Sequence, residues 1–324
     1  MEAVVSFVIF LQRAGQELVG AVARTQRPLR ARMARGSAPR GAEPVEGGFM
    51  NNGYSIFART MADLTYPEVE AAAERGACVL LPTGVIEQHG PHLPLGTDAY
   101  GAYQLCRLVM AELEQRGVEA LIAPPVFWGI NQVSSAFPGT FRTRPETAVA
   151  LHTDILDSLS TDGFDRIYVI NHQGDIAHNR MLLDVVQRQH DQGRTGVVLL
   201  EPDFIADRLG CSSTPALASF AMQPLFEGLE LTGELGVHAE EIESALMMRW
   251  FPELVDYDAM AELKPTGLSA EDLMEWRKGG EHARRVTPQG FFGSPSPRDP
   301  FLWRFHQRMA AAMADLVTTA RSSS

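Results

Sequence analysis

Residues 77–100 read ACVLLPTGVIEQHGPHLPLGTDAY. The apolar run Ala77–Leu81 ends in Pro82-Thr83-Gly84, and a short apolar run closed by turn residues is the pattern of a buried strand. Glu87, His89, His92 and Asp98 follow within a few residues. Those side chains leave the C-terminal end of the strand, which is where open α/β sheets place their ligands. Glu87 and His89 are two apart, so in extended backbone they point to one side. The Gly- and Pro-rich spacer (Gly90, Pro91, Pro94, Gly96) allows the chain to turn back and bring Asp98 to the same point. Carboxylate oxygen and neutral imidazole nitrogen together suit Zn, Mn or Fe(II). Glu87, His89 and Asp98 are therefore candidate metal ligands. His92 reads equally well as a group orienting a ligand and as a structural histidine.

Moving outward, the same arrangement recurs. Arg166–Ile170 (RIYVI) is a second buried strand, and Asn171-His172-Gln173-Gly174-Asp175 leaves its end. His172 would converge on the same sheet edge as a further imidazole, with Asn171 and Asp175 orienting it or bonding a substrate. A third cluster is VHAEEIESALMMRW at 237–250, which has helical spacing. Five residues separate His238 from Glu243, about 500° of helix and so about 140° off one face. The two can share a site only if His238 precedes the helix. Glu240 and Glu241 read as a solvated acidic first turn, favourable at a positive helix end, and spacing alone does not decide Glu243.

Between these clusters strands and helices alternate. Helices are expected over Ala62–Gly76 (N-cap Thr65, Pro67 in the first turn), Ala99–Arg116, Pro145–Leu159, Asn179–His190 and Pro300–Ala320, and further strands over Glu119–Pro124 and Gly196–Leu200. Residues 203–236 look less regular. The pattern predicts an α/β layered fold, a mostly parallel central sheet flanked by helices. The loop Val126–Thr143 is long and aromatic, and loops of that length are usually functional or disordered; its aromatic content favours function. Trp128 and Phe137 in it would wall a pocket or fill the core. Phe137-Pro138-Gly139-Thr140 has the residues of a type II turn.

With 324 residues, 45% of them hydrophobic, the chain can bury a sizeable core. Its net charge of −12, with Lys and Arg unclustered beyond residue 40, excludes nucleic acid and anionic membrane as favoured partners. Cys78, Cys106 and Cys211 show no CxxC spacing and are odd in number, which favours a reducing, cytoplasmic setting. No apolar segment reaches the roughly 18 to 20 residues of a membrane helix. Residues 1–49, Arg- and Ala-rich in part and without clear periodicity, are expected to be a disordered extension, with Met50 a plausible alternative start. Residues 50–324 would form one domain.

The motifs LPTGVIEQHGPHLPLGTD (81–98), FPGT (137–140), INHQGD (170–175) and HAEEIESA (238–245), with a weaker TPQGFFGSP (287–295), resemble the creatininase (creatinine amidohydrolase) family. The resemblance implies a layered α/β fold with a two-metal site (Zn, Mn or Fe) on the C-terminal edge of the sheet, and a homo-oligomer, usually a hexamer. It also implies Glu87, His89, Asp98, His172 and Glu243 as ligands, Asp98 bridging, and His238 as the histidine beside the reacting centre. The sequence departs from the family in three places. The usual Asn-Gly-His is shortened to Asn171-His172, Gly174 stands where creatinine-cleaving members have Glu, and the loop before the FPGT turn lacks a His. The last two argue against creatinine as substrate.

The expected function is hydrolysis of a C–N bond in a small amide, formamide or cyclic amide, with water activated between two divalent ions. A hydrolase of a non-amide bond, such as a cyclic ketone or ester, is the nearest alternative. A catalytically silent structural or binding subunit is the alternative from another class.

Overall fold

The computed structural model describes residues 55–211 and 214–321. The expected extension 1–49 and the alternative start Met50 lie outside them. Five strands are described: β1 Cys78–Thr83, β2 Ala120–Ile122, β3 Ile167–Asn171, β4 Val197–Pro202 and β5 Leu217–Phe220. They form one sheet in the order β2-β1-β3-β4-β5, and every neighbouring pair is parallel. This doubly wound order reverses between β1 and β3. The crevice at the C-terminal ends of those two strands is the place such sheets offer to a ligand.

The helices cover both faces because both faces of each strand are apolar. Val79 and Leu81 of β1 and Ile167 and Val169 of β3 point one way, against Ala72, Leu156, Met181 and Val185. These come from α1 Tyr66–Glu74, α3 Pro145–Thr161 and α4 Ile176–Asp191, and the short α5 Asp203–Leu209 joins them. Cys78, Leu80, Tyr168 and Ile170 point the other way, against α2 Thr97–Gln115 and α10 Arg304–Arg321. Thr65 caps α1 in a reciprocal capping box with Glu68, and Pro67 stands in the first turn.

Strand β5 is a correction to the reading of 203–236 as irregular. It is four residues long with a half-buried pattern, too short for periodicity to register. Beyond it lie α6 Glu241–Trp250, α7 Tyr257–Glu262, α8 Ala270–Trp276 and α9 Glu281–Val286. Two smaller apolar clusters pack this region, one around Leu246, Met247 and Phe251, the other around Leu273, Trp276 and Phe292. Among the described residues no helix is long and apolar enough to cross a membrane.

Candidate metal centre

Three segments meet at the crevice between β1 and β3. The chain leaving β1 carries Glu87 and His89, then returns as the first turn of α2 with Asp98. His172 follows β3 directly, and its backbone N–H still donates to Thr83 O at 3.0 Å, extending the ladder by one residue. His238 lies just ahead of α6, pinned in an antiparallel bridge to Phe292. Phe292 N–H donates to His238 O at 2.8 Å and Val237 N–H to Phe292 O at 2.9 Å. The spacing problem between His238 and Glu243 is thereby solved, since only Glu243 is helical. Ala239 between them has φ +49°, a left-handed conformation that non-glycine residues rarely adopt. Its N–H donates to Glu243 Oε2 at 2.6 Å, which fixes the glutamate.

His89 Nδ1 donates to Glu87 O at 3.0 Å, so Nε2 is the ring nitrogen that faces the cluster. That nitrogen lies 3.4 Å from Asp98 Oδ1 and 3.7 Å from Glu243 Oε2. His172 Nδ1 approaches the same Asp98 oxygen at 3.6 Å, so the shortened Asn171-His172 approach still delivers the ring. Glu87 Oε1 stands 4.0 Å from His238 Nδ1. Two triads, Glu87/His89/His238 and His89/Asp98/Glu243, each have ligand atoms within 4.8 Å of one another. Among the described residues, the buried atoms His89 Nε2, Asp98 Oδ2 and His172 Nδ1 have no hydrogen-bond partner. Buried polar atoms are nearly always satisfied, so this convergence of oxygen and nitrogen donors fits a cation. With three carboxylates and two or three imidazoles, the donor set suits Zn, Mn or Fe.

The electrostatics follow from burial and crowding. Burial raises Glu87, the Asp98 carboxylate adds to this, and together they push it up to about 8. Burial alone would raise Asp98, but the imidazoles of His89 and His172 outweigh it and hold the carboxyl below its usual range. Burial would lower His89, yet Asp98 and Glu243 carry it up to about 10. His238 is lowered to about 3, by burial first and then by His89. Its Nε2 contacts Gln88 O at 2.7 Å, the shorter of its two contacts there, which makes Nε2 the donor. The Nδ1 lone pair then faces Glu87.

A second layer orients these groups. Gln173 Nε2 donates to Glu87 Oε1 at 2.8 Å and to Asn131 Oδ1 at 2.9 Å, and Ser134 Oγ donates to Glu87 Oε2. Thus the aromatic loop after β2 serves the site through Ser134 and Asn131. Gly101, one turn beyond Asp98, leaves room for the ring of His172: a Cβ there would stand 2.8 Å from its ring carbons. None of Gln173, Ser134, Asn131 or Gly101 was expected from the sequence. A helical glycine close after a candidate ligand is the one signal that could have been read.

The remaining expected residues are placed as follows. Asn171 spends its amide on Gln173 O, Asn179 Oδ1 and Glu201 Oε1. Asp175 caps α4 and accepts the N–H groups of Gln132 and Val133, so its carboxylate clamps the loop. Trp128 lies on the surface, 42% exposed, with Phe127 and Phe141 at 5.0 and 5.3 Å between ring centroids. It does not line the cavity described next. His92 is buried against Phe291 and contacts none of the candidate ligands by hydrogen bond or ion pair. Glu240 and Glu241 are corrected from solvated to buried. Glu240 caps α6, and Glu241 accepts Thr232 N–H at 3.0 Å.

A cavity of about 310 Å³ opens onto Glu87, Asp98, His238 and Glu243. Its wall is largely apolar, with Phe204, Met222, Leu231 and Trp276 among its residues. That is the form of a small-molecule site: a concave pocket with apolar surface around a group of charged and polar side chains.

A doubly wound sheet with carboxylates and imidazoles gathered at its switch point defines a class of α/β protein built to bind at that edge. The creatininase family model (creatinine amidohydrolase) matches residues 62–317, and the chain belongs to this family of hydrolases. Creatinine amidohydrolase of Pseudomonas putida is 26% identical over 226 residues, 66% of this chain and 80% of that protein. The mycofactocin precursor peptide peptidase of Mycobacterium ulcerans is 26% identical over 251 residues, 76% and 86% of the two chains. Among solved structures, "Creatininase Mn" gives a TM-score of 0.60 at 20% identity, covering 81% of this chain and 98% of the other. At that identity the structural likeness speaks to the fold alone.

Proposed function

We propose that this chain is a metal-dependent amidohydrolase that cleaves a C–N bond of a small amide, formamide or cyclic amide other than creatinine. Glu87, His89, Asp98, His172 and Glu243 would hold two divalent ions, Zn, Mn or Fe. The observation that carries this reading is the convergence of three buried, unpartnered donor atoms (His89 Nε2, Asp98 Oδ2, His172 Nδ1) beside a cavity of substrate size. When bound, such ions polarise a carbonyl and bring the pKa of a bound water toward neutrality.

The chain's own residues supply the rest. Asp98 Oδ1 faces both His89 and His172, so Asp98 would hold metal together with these two imidazoles. Gln173 and Ser134 fix both oxygens of Glu87. His238, neutral and with its Nδ1 lone pair facing Glu87, would accept a hydrogen bond from the attacking water or the leaving N–H and so orient it. The apolar side chains of the wall, Phe204, Met222, Leu231 and Trp276, would limit access of water to the bond cleaved. The exposed Trp128 and Phe141, packed on the half-buried Phe127, support a homo-oligomer, since a surface aromatic group of this kind commonly marks a contact between subunits.

The test is hydrolysis of a panel of cyclic ureides, formamides, lactams and short peptides by protein reconstituted with Mn or Zn. Turnover of a non-peptide amide that a chelator stops and metal restores supports the proposal. Turnover of peptides alone, or of ketones and esters alone, would move the chain to a different reaction. Metal uptake without turnover on any of them would leave a binding role.

A further inference from the structure

Two arginines stand in the wall of the same cavity, Arg208 at the end of α5 and Arg277 just after α8. Both are only partly exposed, and neither guanidinium has a carboxylate within 4.0 Å among the described residues. Arg277 makes no side-chain hydrogen bond among them. Arg208 makes a single long one, Nη1 to Gly174 O at 3.4 Å. That contact ties Arg208 to the loop that carries His172 and Gln173.

The cavity is rich in acids, yet among the described residues neither arginine forms a close ion pair with one of them; only the charge of Asp175 reaches Arg208. Each nearby acid is already engaged. Asp175 accepts three backbone N–H groups, from Gln132, Val133 and Ala177. Glu234 accepts Gly267 N–H at 3.1 Å, Glu240 caps α6, and Glu241 holds Thr232. Burial lowers Arg208 against the opposing pull of the Asp175 carboxylate, and burial lowers Arg277 to about 10, with the charge of Arg208 contributing to the second shift. The two cations therefore repel each other in a partly desolvated place, an arrangement that costs stability unless an anion joins them. Gly174 leaves space beside Arg208: a Cβ there would meet nothing within 4 Å.

We infer that Arg208 and Arg277 form an anion subsite that binds a carboxylate carried by the substrate, at the opposite end of the molecule from the bond cleaved at Glu87, Asp98 and Glu243. The guanidinium fork matches a carboxylate in bidentate fashion, which a point charge does not. The substrate class is then an amide that also bears a carboxylate, small enough for about 310 Å³. This inference rests on the amidohydrolase proposal for the bond cleaved, but the binding of the anion does not.

The experiment uses the metal-loaded full chain and three probes, succinamate, glutaramate and N-carbamoyl-β-alanine, each against its uncharged methyl ester, with inorganic phosphate as a separate arm. Binding is read by calorimetry, turnover by product release. At least one acid should bind about tenfold or more tighter than its ester, and Arg277→Gln and Arg208→Gln should each remove that preference while the ester's affinity stays within twofold. Where the acid is turned over, the loss should fall on KM with kcat little changed. Equal binding of every acid and ester, or a preference that survives in the double variant, would overturn the inference. Arginine-dependent binding of phosphate with none of the carboxylates would also overturn it, in favour of a phosphoryl group. Cleavage of neutral amides without any charge preference refutes the subsite and leaves the hydrolase intact. Arginine-dependent binding of acids without cleavage of any amide does the reverse.

Discussion

Replacing Gly101 by Ala should separate stability from function. The added Cβ would lie 2.8 Å from Cγ, Cδ2 and Cε1 of His172. Carbon atoms in contact prefer about 3.5–4.0 Å, so the ring must withdraw by roughly 1 Å. The ring of His306 stands 6.4 Å from that of His172 between centroids, at 22° between planes, which is wider than stacking contact and leaves space between the two rings. The movement takes Nδ1 from its place 3.6 Å from Asp98 Oδ1. Metal–ligand distances tolerate about 0.2 Å, and a 1 Å misplacement at a reacting centre costs on the order of 100-fold. The helix itself gains about 1 kcal/mol from Ala over Gly, which offsets much of the crowding. We expect Tm within a few degrees of the parent, reduced metal occupancy, and kcat/KM on the best amide substrate down about 100-fold. Thermal unfolding, metal analysis and steady-state kinetics on the same preparation read all three. Full occupancy with a rate within threefold of the parent would refute the reasoning that this glycine seats His172.

Gln173→Ala removes a donor from Glu87 and should weaken metal affinity about 10- to 100-fold, as the loss of an orienting partner does elsewhere; competition with a fluorescent chelator measures it. His178 sets an acid limit on stability. It is buried, its Nδ1 accepts Ile130 N–H at 3.2 Å, and burial, with the His152 charge adding, lowers it to about 3. The unfolded imidazole, near 6.5, takes up a proton that the folded one refuses until about pH 3. Its contribution is therefore complete above pH 6.5 and is lost as pH falls through that window, by up to about 1.4 kcal/mol per pH unit. Urea unfolding of the parent and of His178→Gln between pH 7.5 and 5 should show a shallower slope in the variant. Equal slopes would remove His178 as the cause.

Much of this arrangement was legible in residues 77–100 and 166–175, because a buried parallel strand is a continuous apolar run and the polar residues after it have nowhere to go but the sheet edge. The strand order was not legible, since it depends on which runs pair, and β5 offers only Leu217–Phe220 as a signal. Glu240 and Glu241 misled because an acidic first turn looks the same whether solvent or Thr232 meets it. The cover comes from segments tens of residues away. Trp128 reads in sequence as walling a pocket or filling the core, and it lies on the surface instead, because an aromatic residue in a long loop carries no mark of which side it faces. Ser134, Gln173, Arg208 and Arg277 are ordinary polar residues in sequence. Their roles come from the loop after β2 and the region beyond β5 folding back over one crevice.

The most direct test of the account is the divalent metal content of the full chain purified without chelator, measured together with that of Asp98→Ala. The account predicts about two ions per chain in the parent, as a two-metal hydrolytic site requires, and at most one in the variant, with turnover abolished. A parent that binds no divalent ion, or a variant that keeps both ions and the full rate, would contradict it.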